Sequence, residues 1–380
     1  LKNTANEIAD SEATSILGTL YFIIGIILFV LLVVVHELGH AIMARRNGVE
    51  VEEFGIGFPP RAWKKKLKNG TLFTLNWLPL GGFVRLKGEN DAATGPGTYG
   101  GATMWVKTKI LLAGVVMNWL TAVVIFTILA LTGLPQLVQN QFTVPSDTRT
   151  SAEQVYAAAV ADGSPAAKAG IKSQDVILAA DHQNLMSAQQ LVDFTSQHAG
   201  KQVTLTIMHD KQTRDVALTL NKEHSASQGY AGISPYEQTT RTSTWSAPIV
   251  GIGLTAQLTW ETLKGLGTTV SQLAHQQFKE AGQNVAGPVG IFSILKSSSE
   301  IGFKPVLFLI GIISLTLAVM NVLPIPALDG GRLFVTLIFR ALKRPLTKER
   351  EESIQAAGFL ALMLLVVLVT VVDVGRLTGK

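Results

Sequence analysis

Residues 16–40 read ILGTLYFIIGIILFVLLVVVHELGH. The first twenty, Ile16 to Val35, carry no charge, and that is the length a helix needs to cross roughly 30 Å of hydrocarbon. The run then meets three ionisable side chains within five residues: His36, Glu37 and His40. Such groups are costly at membrane depth and mark function by default. The length of the run and the lack of a basic stretch ahead of it argue against a cleaved leader, so it is read as retained.

The rest of the chain repeats the pattern. Of its 380 residues 47% are hydrophobic and only 16% charged, which points to the membrane class. Uncharged runs recur at Ile110–Leu134, Pro305–Leu323 and Ala356–Val372. The expected fold is a polytopic α-helical membrane protein of about four transmembrane helices, with short β segments after the first. Those segments are VEVEEFGIGF, TLFTLNW and GGFVRLK, punctuated by Pro59-Pro60, Asn69-Gly70 and Gly81-Gly82.

Five regions follow: a polar, mobile tail (1–15), the first two spans with the β region (16–135), a soluble α/β domain (144–236), a connecting region (245–300) and the last two spans (301–380). The stretch 242–260 is also uncharged and offers a fifth span. The preferred reading keeps four, with 245–300 lying along the outer surface or dipping partway in.

Lys and Arg cluster at 45–109 and 332–350, and basic short loops favour the cytoplasm. The soluble domain is therefore expected outside. A net charge of +5 used for topology leaves no case for a nucleic-acid partner. With no cysteine in the chain, disulfides and thiolate ligands are excluded.

His36 and His40 stand four apart, on one face of a helix, with Glu37 beside them. This is the HExxH pattern of zinc hydrolases, in which zinc acidifies a water and the carboxylate takes its proton. Two histidines leave such a site one ligand short, and without cysteine the third must be His, Asp or Glu. Asp329, in NVLPIPALDGG (321–331), is the candidate. Taken alone it reads as a helix cap; beside HELGH it reads as a ligand. With four spans the helix before Asp329 runs in the same direction as the first, bringing the ligands to one side.

HELGH in the first span and NVLPIPALDGG in a later one resemble the site-2 protease family of intramembrane zinc metalloproteases. FGIGFPP (54–60), LPLGGFVRLKGE (78–89) and GPVGI (287–291) add to the resemblance, which covers nearly the whole chain from Leu17 onward. Residues 164–178, SPAAKAGIKSQDVIL, resemble the PDZ segment of bacterial proteases, with Gly170 in a turn and Ile171 and Ile177 packed inward.

The resemblance implies zinc held by His36, His40 and Asp329, with Glu37 as general base. It also implies a membrane-re-entrant hairpin that holds substrate as an extended strand, with Gly55, Gly57, Gly81 and Gly82 lining it. Asn118 is carried over as a substrate residue, although AGVVMN has Val115 where members often have proline. Asn321 either contacts substrate or makes an interhelical hydrogen bond.

Single-pass membrane proteins in the lipid bilayer are the implied substrates, of anti-sigma-factor or remnant-signal-peptide type. The implied location is the bacterial plasma membrane, with the active site toward the cytoplasm. An extracytoplasmic PDZ-like α/β domain would bind peptide or exclude bulky substrates. A peptide-binding receptor with a relic HELGH, or a metal-ion transporter, would use the same residues differently. The remaining histidines, 182, 198, 209, 224 and 275, show no ligand spacing and are expected at the surface. Trp105, Trp119, Trp245 and Trp260 suit interfacial anchoring.

Overall fold

In the computed structural model the described residues are 2–90, 92–136, 138, 140–209, 212–223, 229–277 and 286–377, with backbone alone for 2–15, 79, 80, 152, 153, 238 and 377. His224 and the 278–285 part of the connecting region lie outside them. In chain order the elements are α1 (Lys2–Arg46), β1 (Val51–Lys66), β2 (Leu72–Leu86), α2 (Met104–Thr132), β3 (Leu134–Pro135) and β4 (Arg149–Val160). Then come α3 (Pro165–Lys168), β5 (Val176–Ala180), β6 (Gln183–Asn184), α4 (Ala188–Gln197), β7 (Gln202–His209), β8 (Gln212–Thr219) and β9 (Ile233–Thr242). The last elements are α5 (Ala247–Ala274), α6 (Pro288–Ile301), α7 (Phe303–Val322), α8 (Asp329–Ala341) and α9 (Lys348–Leu377). They form two compact units, residues 1–129 with 251–380, and residues 130–250.

In the first unit, four helices among the described residues are long and apolar enough to cross a membrane: Ile16–Arg46, Met104–Thr132, Phe303–Val322 and Lys348–Arg376. The backbone of residues 2–15 is helical and continuous with the first of them. α1 and α7 run side by side in the same direction, Tyr21 meeting Phe303 (ring centroids 6.0 Å apart) and Gly25 meeting Val306. α2 runs against both. Gly39 lies on Ala113, Gly311 on Phe126, and the Ser314 hydroxyl donates to the Asn118 carbonyl at 2.8 Å. Small residues at these crossings let backbones approach where lipid supplies no hydrophobic drive.

α6 packs back along α1, Leu295 against Gly25. α9 is tied at its start by Gln355, which accepts from Ala327 N–H at 2.6 Å, and near its end by buried Asp373, which accepts from Gly290 N–H at 2.8 Å. The first half of α5 lies against α2, with Gly251 beside Thr127 and Trp119 Nε1 donating to Thr259 at 3.2 Å. The connecting region thus packs on α2, one of the four long apolar helices. Trp105, Trp245 and Trp260 are exposed, whereas Trp119 serves this α2–α5 contact.

β1 and β2 pair antiparallel, and each bends back on itself. Glu53–Ile56 lie beside both Gly82–Arg85 and Leu72–Leu75, while Arg61–Lys66 cover the far side of Leu72–Asn76. Around the bend at cis Pro59-Pro60, Phe58, Trp77 and Leu78 are exposed. An apolar tip of this kind suits contact with lipid.

The second unit holds a sheet of order β3-β9-β4-β5-β7-β8, with β6 paired to β5. Alternation in QVTLTIMH turns Val203, Leu205 and Ile207 inward. They join Val155, Leu191 and Leu218 in one core. Ile171 and Ile177 lie in the same core, and Gly170 turns the chain at φ +79°. Ser164 and Ser187 cap α3 and α4. His182 is exposed and His198 half-buried, while His209 pairs with the buried Asp175. Ile207→Ala should destabilise this unit by about 2–5 kcal/mol. Pulse proteolysis of the full chain in urea would show it as a lower midpoint for cleavage within residues 130–250.

Candidate active site

The helical period places His36 and His40 on the face of α1 that meets α2. Room for them comes from Gly114. A Cβ there would stand 2.5 Å from His40 Nε2 and 2.6 Å from His36 Cε1, closer than atoms can approach. Gly39 does the same for the backbone, since its Cβ would lie 2.6 Å from the Ala113 carbonyl oxygen. α2 itself is an unbroken helix through Val115. The glycine of AGVVMN, passed over in the sequence reading, is therefore the residue that admits both imidazoles.

His40 Nδ1 lies 2.7 Å from the Ile110 carbonyl, which can only accept. Nδ1 therefore carries the proton and Nε2 presents a lone pair. His36 Nδ1 lies 3.4 Å from the Asn118 amide, whose Oδ1 has no hydrogen-bond partner although the residue is only 1% exposed. The two ends of an amide are isosteric and are assigned from the network. With Oδ1 toward His36, the Nδ1 proton gains an acceptor, the orphaned oxygen gains a donor, and His36 Nε2 is left free of a proton. That arrangement sets the Asn118 amide against the His36 ring.

Asp329 is the first residue of α8, delivered by the Pro324–Pro326 turn that ends α7. Its Oδ2 lies 3.0 Å from His36 Nε2 and 3.3 Å from His40 Nε2, and the two nitrogens are 3.1 Å apart. Among the described residues this is the group of His, Asp and Glu side chains suited to a metal. Tetrahedral zinc with bonds of about 2.0–2.1 Å holds its ligand atoms about 3.3 Å apart. Two lone-pair nitrogens and a carboxylate oxygen converging at that spacing have no proton to share, so the donor set fits a divalent cation. Both histidines are 8% exposed.

Glu37, half-buried, stays out of this triangle. Its carboxylate accepts from the Val84 N–H, and its Cγ lies 3.5 Å from where a Cβ on Gly82 would be. Of the four glycines singled out by sequence, Gly82 alone borders Glu37. Gly55 packs under the Phe83 ring, Gly57 against the Leu78 carbonyl and Gly81 on Phe58. Asn321 donates to Leu317 O of its own helix at 3.0 Å. A cavity of about 620 Å³ opens beside Asp329, lined by Glu89, Asn90, Lys348, Glu352 and Gln355 among others.

Residues 24–365 match the family described as Peptidase family M50. The chain belongs to that family. It is 30% identical to a Clostridium perfringens protein over 357 residues, 93% of this chain and 98% of that one. It is 26% identical to the regulator of sigma-W protease RasP of Bacillus subtilis, over 93% of this chain and 97% of the other. It is 28% identical to the zinc metalloprotease RasP of Bacillus licheniformis, over 93% and 98%. A segment covering 22% of the chain is similar to 86% of a PDZ domain of an SdrC-like protein from Listeria monocytogenes, at 25% identity and a TM-score of 0.20.

This M50 peptidase is a zinc metalloprotease carried on membrane helices. Gly114→Val should raise the zinc dissociation constant at least tenfold, because the new side chain occupies the space of the His40 ring. Asn118→Leu should raise it about 10–100-fold through loss of ligand orientation. Competition with a chromophoric chelator measures both.

Proposed function

We propose that this M50 peptidase is an intramembrane endopeptidase that cuts single-pass membrane proteins in or near their spanning segment, with His36, His40 and Asp329 as zinc ligands and Glu37 as general base. The observation that carries the reading is the meeting of those three ligand atoms at about 3 Å within an apolar helix bundle, with an uncoordinated carboxylate next to them. When bound, zinc supplies a Lewis acid that polarises the scissile carbonyl and acidifies water.

Glu37 holds the attacking water, takes its proton and passes it to the leaving amine nitrogen. The Val84 N–H lies on the carboxylate's side and offers it a donor. The polar cavity beside Asp329 supports a path for water to reach a site otherwise walled by apolar helices.

Substrate geometry follows from the neighbouring sheet. A helical segment hides its carbonyls in its own hydrogen bonds, so it must unwind to be cut. Residues 82–85 pair with 53–56 along one edge, and their other edge turns toward Glu37. An extended segment added there has its freed backbone groups satisfied beside the general base. Gly82 leaves that approach open.

The 130–250 unit is read as the PDZ-like domain, supported by its capped SPAAKAG turn, small antiparallel sheet and packed α4. In this reading it lies outside the membrane and screens out substrates with bulky outer domains, while the zinc site sits toward the cytoplasm. Anti-sigma factors already trimmed outside, or remnant signal peptides, fit the substrate class. This assignment follows the positive loops at 45–109 and 332–350.

Glu37→Gln should lower kcat on a model single-pass substrate by about 10²–10⁴-fold, with zinc content unchanged. Cleavage at the original rate by the zinc-loaded variant would rule out Glu37 as the base.

A further inference from the structure

We infer that Arg332 is a positioning residue for the metal site, fixing the rotation of α8 about its own axis and so the aim of Asp329. The inference rests on Asp329 being a zinc ligand.

Asp329 and Arg332 are three residues apart in α8, one turn of the same short helix. The glycines between them set how closely the helix sits. A Cβ on Gly330 or Gly331 would stand 2.1 Å from the Val322 carbonyl oxygen or 1.9 Å from that of Ile325, so backbone rests on backbone. Those contacts, with Leu333 on the neighbouring core and Val335 and Thr336 buried, set how the far part of the helix lies. Arg332 adds an ionic hold on its rotation one turn from Asp329.

Its guanidinium reaches three separate parts of the chain. Nη1 donates to Glu89 Oε1 at 3.0 Å, Nη2 donates to the Glu89 carbonyl, and Nε donates to Glu351 Oε1 at 3.1 Å. Glu89 ends the LKGE stretch that follows β2, and Glu351 lies in the first turn of α9, only 3% exposed. The guanidinium carbon also lies 5.0 Å from the centre of the Tyr99 ring, itself 1% exposed. The same ring meets Lys107 Nζ at 5.4 Å, and Lys107 is buried at the start of α2, donating to Gly100 O at 2.9 Å. A planar fork held by two acidic residues and a ring face has one orientation, which a lysine cannot reproduce.

The carboxylate one turn away inherits that orientation. Metal ligands work only when held within about 0.5 Å and 10–20° of their productive geometry. The acid in LKGE and the arginine in LDGGR, far apart in sequence, are thus two ends of one clamp on the zinc-ligand helix.

Removing Arg332 alone would take the opposite charge away from a buried carboxylate and risk the fold. The test therefore uses the full chain in detergent with Arg332→Lys, with Arg332→Met combined with Glu351→Gln, and with Glu89→Gln. The zinc release rate to excess chelator, the ligand-field spectrum of the cobalt-substituted protein and the kcat–KM split on a membrane substrate are read for each. Clamp loss should speed zinc release about 10–100-fold in the first two variants. Their cobalt bands should shift, and kcat should fall with KM unchanged. Glu89→Gln, at a side chain 40% exposed, should speed release severalfold and serves if the others do not fold.

Wild-type release rates and cobalt spectra in the variants that fold would overturn the inference. Asp329→Asn separates the two ideas. If that variant keeps zinc as tightly as wild type, the ligand assignment itself is wrong. If it loses zinc while the Arg332 and Glu89 variants do not, only the clamp is.

Discussion

The crossing of α1 and α2 at Gly39 and Gly114 is the constraint on which the active site depends. Neither position has room for a Cβ, because a backbone carbonyl or an imidazole already occupies the space. That close approach puts Ile110 O and Asn118 within reach of the two histidines, so one helix carries the imidazoles and the other fixes their tautomers. It also sets the spacing for α7, which docks on α2 through Gly311 and Ser314 and runs in the direction of α1. Parallel travel of α1 and α7 is what lets a residue near position 329 return to residues 36 and 40. A wider crossing would leave two histidines in hydrocarbon with neither partner nor metal, a costly state for polar groups.

Much of this was legible in the sequence, for physical reasons. The four spans stand out because hydrocarbon demands long uncharged runs, and helical spacing places His36 and His40 on one face whatever surrounds them. Asp329 was legible only as half of a pair, since an aspartate ahead of two glycines is also an ordinary helix start. Other features left no local trace. Gly114 is one glycine among 35 and is special only for what lies opposite it. Asn118 carries no sign of facing an imidazole. The doubling of β1 and β2 into four lanes cannot be read from alternation, which reports faces but not neighbours. Arg332 counted in the sequence as one more cation of a cytoplasmic loop, and the partners that give it another role lie at Glu89, Tyr99 and Glu351.

Water and peptide meet here in a medium that suits neither. Polar groups that line the cavity at Asp329, the turn between α7 and α8 and the exposed edge of the β1–β2 sheet are concentrated around one point, while apolar side chains face outward over the rest of the helices. His36, His40 and Asp329 gain from that arrangement twice. Dry walls strengthen each electrostatic contact, and the hydrogen bond from His40 to Ile110 O and the contact of His36 with the Asn118 amide replace the reorganising solvent a soluble site would use.

Zinc K-edge X-ray absorption on the wild-type chain and on Asp329→Ala tests the central claim most directly. The wild type should show two imidazoles and a carboxylate oxygen around zinc. Asp329→Ala should keep the imidazole scattering, lose one light-atom ligand and bind zinc more weakly. A wild-type spectrum with one or three imidazoles, or a spectrum unchanged by loss of Asp329, would contradict a site assembled from α1 and α8.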